Sequence, residues 1–87
     1  MVDDTDIKRA TARGLRLSRR CQRILAHQGP NAQGACLVDL VSMYVASHHP
    51  ALRGQCLDML VKAVKDMVPA SVGELAERGV YPPEWRQ

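Results

Sequence analysis

The chain has 87 residues and a mass of 9.6 kDa, the size of one small folded domain, and two domains would not fit in it. Hydrophobic residues make up 46% of the chain and charged residues 24%, which supports a folded core and argues against disorder. The net charge of +3 hides an asymmetry, because residues 7–28 carry seven of the twelve Lys and Arg residues and no acid.

The first predicted element is a helix over about 4–27. Short acidic and hydroxyl side chains at its start can accept hydrogen bonds from the free backbone N–H groups, and their negative charges favour this end of the helix dipole. Gly29 and Pro30 end the helix. Apolar or small residues recur at spacings of 3, 4, 3, 4 and 3, as along a coiled-coil stripe. This apolar seam consists of Ile7, Ala10, Gly14, Leu17, Cys21 and Ile24.

Two further main helices are predicted over about 32–47 and 50–68. The second helix is apolar on nearly all sides, which indicates a central, buried position. Pro50 suits the first position of the third helix, whose wide apolar face indicates contact with more than one neighbour. With short connections, consecutive helices are expected to be antiparallel neighbours in a bundle.

A short fourth helix is predicted over about 72–78, because Ser71 and Glu74 have the spacing of a capping box and Gly79 can end the helix. The remaining residues predict an extended tail that holds Tyr81 and Trp85, two of the three aromatic residues. The preferred interpretation is that both rings pack onto the bundle. The alternative is an arm that docks onto a partner.

No arrangement of residues predicts catalysis or a bound cofactor. The sequence lacks a glycine-rich phosphate loop, a Cys-x-x-Cys pair and a His-x-x-x-His pair, so neither a nucleotide, a small-molecule substrate nor a metal site is expected. Asp39 is the only acid in the apolar centre, and one carboxylate without a partner gives no acid–base pair. We therefore expect a protein that is not an enzyme.

Two charged residues next to apolar faces require an explanation. A buried Asp39 needs a counter-ion, and a hairpin about Gly29-Pro30 would place it level with Arg20. We therefore expect an ion pair between Asp39 and Arg20, with Arg16 or Arg23, one turn away, as substitutes. Arg53 lies in the first turn of the third helix, where the dipole disfavours a cation. It is expected either to reach past the apolar face into water or to form an ion pair with another subunit.

The most informative feature is a row of arginines on the first helix, at spacings of 4, 3, 4 and 3 that place them on one face. The arginine row consists of Arg9, Arg13, Arg16, Arg20 and Arg23. Like charges at such spacing repel, so a negative partner is expected to relieve them. The alternatives are a solvated or self-neutralised face, an acidic protein, or nucleic acid bound through its phosphates.

The sequence as a whole predicts one all-α domain over 1–87 that forms a homodimer through surplus apolar surface of the first and third helices. Its expected function is that of a protein-interaction module, with the arginine row and the Tyr81 to Trp85 tail holding an acidic partner. A small nucleic-acid-binding protein is the alternative. With no membrane span, an acidic start and three separated cysteines, we expect a cytoplasmic protein that does not bind membranes.

Overall fold

A computed structural model describes residues 3–85, and these residues form three α-helices and no strand. The helices are α1 (Asp4–Leu25), α2 (Pro30–Ala46) and α3 (Arg53–Glu77), with short 3-10 turns at Pro50–Leu52 and Pro83–Trp85. The all-α prediction is therefore confirmed.

The bounds of α1 and α2 follow from local capping. The carboxylate of Asp3 accepts a hydrogen bond from the N–H of Asp6 over 2.9 Å and so caps α1. Helix α2 begins at Pro30, two residues before its predicted start, because a proline at the first helical position has no N–H to leave unpaired. The side chain of Gln33 connects the two helices, donating to the carbonyls of Leu25 (2.7 Å) and Gln28 (3.0 Å).

Helix α3 continues through Pro69, so the predicted break between a third and a fourth helix is wrong. Proline removes the N–H that would bond to the carbonyl of Lys65. Because Lys65 is exposed, water can satisfy that carbonyl, and the helix loses one bond without ending. The predicted capping box at Ser71 does not form, since Ser71 lies inside the helix and Glu74 instead accepts from Arg78 one turn later.

The end of α3 agrees with prediction. Gly79 has a φ of 73°, a left-handed conformation that glycine adopts at little cost. Its N–H donates to the carbonyl of Ala76, and the N–H of Val80 donates to that of Leu75, both over 3.1 Å. This pair of bonds is a Schellman motif, and it satisfies two carbonyls that the helix end would leave free.

None of the described residues is buried, although the sequence predicts an aliphatic core. Even on α2, which is expected to be central, Val38 is 67% exposed and Met43 66%. By contacts the chain divides into two compact units, one ending at Leu40 and the other beginning at Val41. The packing of the helices into a bundle and the single domain over 1–87 therefore stay predictions.

Among residues 3–85, no helix has the length and apolar character needed to cross a membrane.

Candidate interaction surface

Helix α1 presents the arginine row to solvent. All five arginines are exposed, and none forms an ion pair with another described residue. The acids of α1 are confined to its first turn, at Asp4 and Asp6, where they suit the helix dipole. Since a helix rises 1.5 Å per residue, the five guanidinium groups follow about 21 Å of the axis. The result is a continuous cationic strip on a helix of 22 residues.

The apolar seam lies beside this strip and is also open. Ile7 is 53% exposed, Leu17 52% and Ile24 70%. At Gly14, in the middle of the seam, an added Cβ would meet nothing within 4 Å. Helix α1 therefore carries two unpartnered faces, one apolar and one cationic.

The predicted ion pair between Asp39 and Arg20 is not present. Asp39 is exposed rather than buried, and its carboxylate forms no ion pair with Arg20 or with another described residue. The expectation rested on burial of the carboxylate. A carboxylate that remains in water needs no counter-ion, because hydration stabilises its charge.

The second unit holds an open groove of about 440 Å³. The residues that line it come from the end of α2 and the first part of α3: Tyr44, His48, Leu52, Gln55, Cys56, Met59 and Leu60. The rings of Tyr44 and His48 meet edge to face, with centroids 4.8 Å apart. This groove was not predicted from the sequence. Four-residue spacings occur on either side of the turn, at 44 and 48 and at 52, 56 and 60, but no signal local to either helix shows that these residues meet.

Cys56 and His48 meet in this groove without a directed hydrogen bond between them. The Sγ of Cys56 is 3.8 Å from both Nδ1 and Nε2 of His48. A hydrogen bond to an imidazole nitrogen lies in the ring plane and points away from the ring. Because Sγ is equally distant from both nitrogens, it lies in that direction for neither of them, and no directed hydrogen bond links the thiol to the imidazole. Nδ1 also lies 2.8 Å from the carbonyl oxygen of Tyr44. The contact is therefore one of packing.

Arg53 has a role that neither sequence interpretation predicted. Its Nη2 donates to the carbonyl of Ala46 over 3.0 Å, and its Nε donates to that of His48 over 3.1 Å. These carbonyls belong to the end of α2 and the turn that follows, where helix geometry leaves acceptors without N–H partners. Arg53 is therefore a C-terminal cap for α2, and its positive charge suits the negative end of the α2 dipole.

The tail turns back instead of extending. The hydroxyl of Tyr81 donates to the carbonyl of Val72 over 2.6 Å, and its ring stacks on Trp85 with centroids 5.7 Å apart. Tyr81 is half-buried, whereas Trp85 is 67% exposed. Tyr81 thus contacts α3, and Trp85 keeps a free face. The last two residues of the predicted tail lie outside the described part of the chain.

The described residues contain no group of three or more His, Cys, Asp or Glu side chains that could hold a metal ion. No protein-family model, curated protein or solved structure matches this chain. The class of protein that the structure defines is a small all-α chain with unpartnered apolar and cationic helix faces.

Proposed function

We propose that this chain is a helical protein-interaction module that completes its fold as a homodimer and holds an acidic partner through the arginine row. One observation carries the proposal: 46% of the chain is hydrophobic, yet no described side chain is buried. Burial of apolar surface is the main free energy that offsets the entropy lost on folding. A chain that leaves its apolar residues in water therefore needs another surface to cover them.

A second copy of the same chain is the simplest surface that could cover these apolar residues, since two-fold homodimers are the commonest soluble assemblies. The exposed aliphatic residues occur on all three helices, and on α3 they include Met59 (64% exposed) and Met67 (58%). Most of the stability of helices in proteins comes from packing of their apolar faces, so association and helix formation should be coupled.

The acidic partner is inferred from the arginine row. Five exposed guanidinium groups without ion pairs among the described residues repel one another, and a carboxylate-rich surface would remove that repulsion. Arginine suits this role because its planar donors match both oxygens of a carboxylate.

The experiment that tests the homodimer is light scattering on the purified chain, with far-UV circular dichroism over the same range of concentrations. We expect a mass of twice 9.6 kDa and a helix content that falls on dilution. A mass of 9.6 kDa with constant helix content at every concentration would contradict the proposal, because the single chain would then be stable with its apolar faces in water.

Nucleic acid is the second candidate, favoured by the regular spacing of the arginine row, which could follow a phosphate backbone. Its test is a salt titration of binding to labelled mixed-sequence duplex DNA and structured RNA. Changing Arg13, Arg16 and Arg20 to Gln should reduce the salt slope by up to about one unit per phosphate contact.

The matched control removes three charges elsewhere, with Lys62, Lys65 and Arg78 changed to Gln. If both triple variants weaken binding equally, net charge rather than the arginine row is responsible. If the chain binds neither DNA nor RNA at low salt, nucleic acid is excluded and an acidic protein partner remains. A parallel titration with polyglutamate tests that partner.

The proposal includes a cytoplasmic location and a role other than catalysis. The three free thiols, at Cys21, Cys36 and Cys56, support a cytoplasmic location, because thiols stay reduced in that compartment. The packing geometry of Cys56 and His48 supports a role other than catalysis.

A further inference from the structure

We propose that α1 pairs with α1 of a second copy in a parallel, in-register coiled coil, so that Cys21 lies opposite Cys21 of the partner subunit. This inference rests on the proposed homodimer and adds its orientation and register. The apolar seam of α1 supplies the contact, because its 3-4 spacing corresponds to the a and d positions of a coiled coil. In the single chain this seam is open along its length.

The charges beside the seam decide the orientation. With Ile7 at an a position, Arg13 and Arg20 occupy g positions, while Ser18 and Leu25 occupy e positions. In a parallel pair, g residues lie beside the e residues of the other helix. Arg13 would then face the partner's Ser18, and Arg20 would face the partner's Leu25. Neither contact opposes like charges.

An antiparallel pair places g residues beside g residues instead. With the seams aligned, Arg13 would face the partner's Arg20, and symmetry would repeat this contact at the other end. Two pairs of facing guanidinium groups without acids next to them destabilise this arrangement. The row that suggests an acidic partner therefore also selects the parallel orientation.

Small residues in the seam set how closely the helices approach. Ala10 and Gly14 present little or no side chain, and an added Cβ at Gly14 would meet no neighbouring helix of the described chain within 4 Å. Two such helices can therefore approach closely at this layer, which places Cys21, one heptad after Gly14, within reach of its counterpart. In this pair the remaining arginines, at c and f positions, point away from the contact and stay free to bind a carboxylate-rich surface.

The test is disulfide cross-linking of the full chain with Cys36 and Cys56 changed to Ser, so that Cys21 is the only thiol. Oxidised glutathione is the probe. Attack by one Cys21 thiolate releases one reduced glutathione, and attack by the second thiolate on the mixed disulfide releases another. The two thiols thus lose two electrons and two protons to the glutathione disulfide.

We expect a covalent dimer that forms at least about tenfold faster than in a matched chain whose only thiol is Cys36, because pairing raises the effective concentration of the facing thiols. A chain with Cys21 changed to Ser and Ala10→Cys as its only thiol should cross-link as well. In a parallel pair Ala10 also faces its own counterpart.

An antiparallel pair would give the opposite pattern. Neither single-thiol chain would cross-link with itself, whereas a mixture of the Ala10→Cys chain and the Cys21-only chain would form a mixed dimer. That result would overturn the proposed orientation. Light scattering separates the two levels of failure: a dimeric mass without Cys21 cross-linking overturns the α1 pairing alone, and a monomeric mass overturns the homodimer too. Circular dichroism confirms that each variant keeps its helices.

Discussion

The guanidinium of Arg53 donates a 3.0 Å hydrogen bond to the carbonyl of Ala46, the last residue of α2. A charged residue from the start of one helix thus completes the end of the helix before it. The same side chain bonds to His48 over 3.1 Å, so two acceptors of the connection depend on one residue.

Changing Arg53 to Gln should lower the free energy of unfolding by about 1 kcal/mol, because two hydrogen bonds from a charged donor are lost at an exposed site. The measurement is urea unfolding at one fixed protein concentration, followed by circular dichroism. Arg19→Gln is the matched control, since the Arg19 side chain is exposed and forms no ion pair with another described residue. Equal losses in the two variants would show that the contribution of Arg53 is one of charge alone.

Gly79→Ala should destabilise the chain by about 1 kcal/mol, because an alanine at a φ of 73° is strained even though its Cβ meets no neighbour. Gly34→Ala is the matched change inside α2, where the added Cβ also meets nothing within 4 Å. It should stabilise by up to about 1 kcal/mol, since alanine is the better helix former. Thermal unfolding of both variants tests the opposite signs. A loss at Gly34 would indicate that this side of α2 is covered in the assembled protein.

Pro69→Ala should raise the free energy of unfolding, by up to about 3 kcal/mol, because it restores the N–H that bonds to the carbonyl of Lys65. This result is expected only if α3 is continuous through residue 69.

Ser71→Ala tests the same continuity from the other side. Inside a helix the change should be neutral or slightly stabilising. If a separate helix began there, loss of the N-cap would cost about 1 kcal/mol. A clear destabilisation by Ser71→Ala would therefore contradict the continuous α3.

Tyr81→Phe should loosen the tail, because only the hydroxyl bonds to the carbonyl of Val72. Trp85 is the only tryptophan and stacks on Tyr81, so its fluorescence anisotropy should fall. Tyr44→Phe is the control, because the ring of Tyr44 and not its hydroxyl contacts His48. This variant should leave the anisotropy of Trp85 unchanged. Unchanged anisotropy in Tyr81→Phe would mean that ring stacking alone holds the tail.

Helix formation was predictable because its signals are local. Asp3 and Asp6 are three residues apart, Gly79 directly follows the last turn of α3, and the spacing of the apolar seam identifies one face of α1. Each signal acts within one or two turns, where backbone geometry is nearly independent of the rest of the chain. The arginine row is of the same kind, and its exposure agrees with the spacing from which it was identified.

The features that failed or were missed depend on surroundings. Whether Pro69 ends the helix depends on whether its surroundings accommodate its ring and hydrate the carbonyl that it leaves without a donor. Asp39 needs Arg20 only if it is buried. The contact of His48 with Cys56 joins residues eight apart across a turn, which no single helical period describes. Residue spacing thus determined where this chain is helical and which faces are apolar or cationic. Only the tertiary structure decided that those faces stay uncovered within the single chain, because burial depends on what covers a residue and not on its neighbours in sequence.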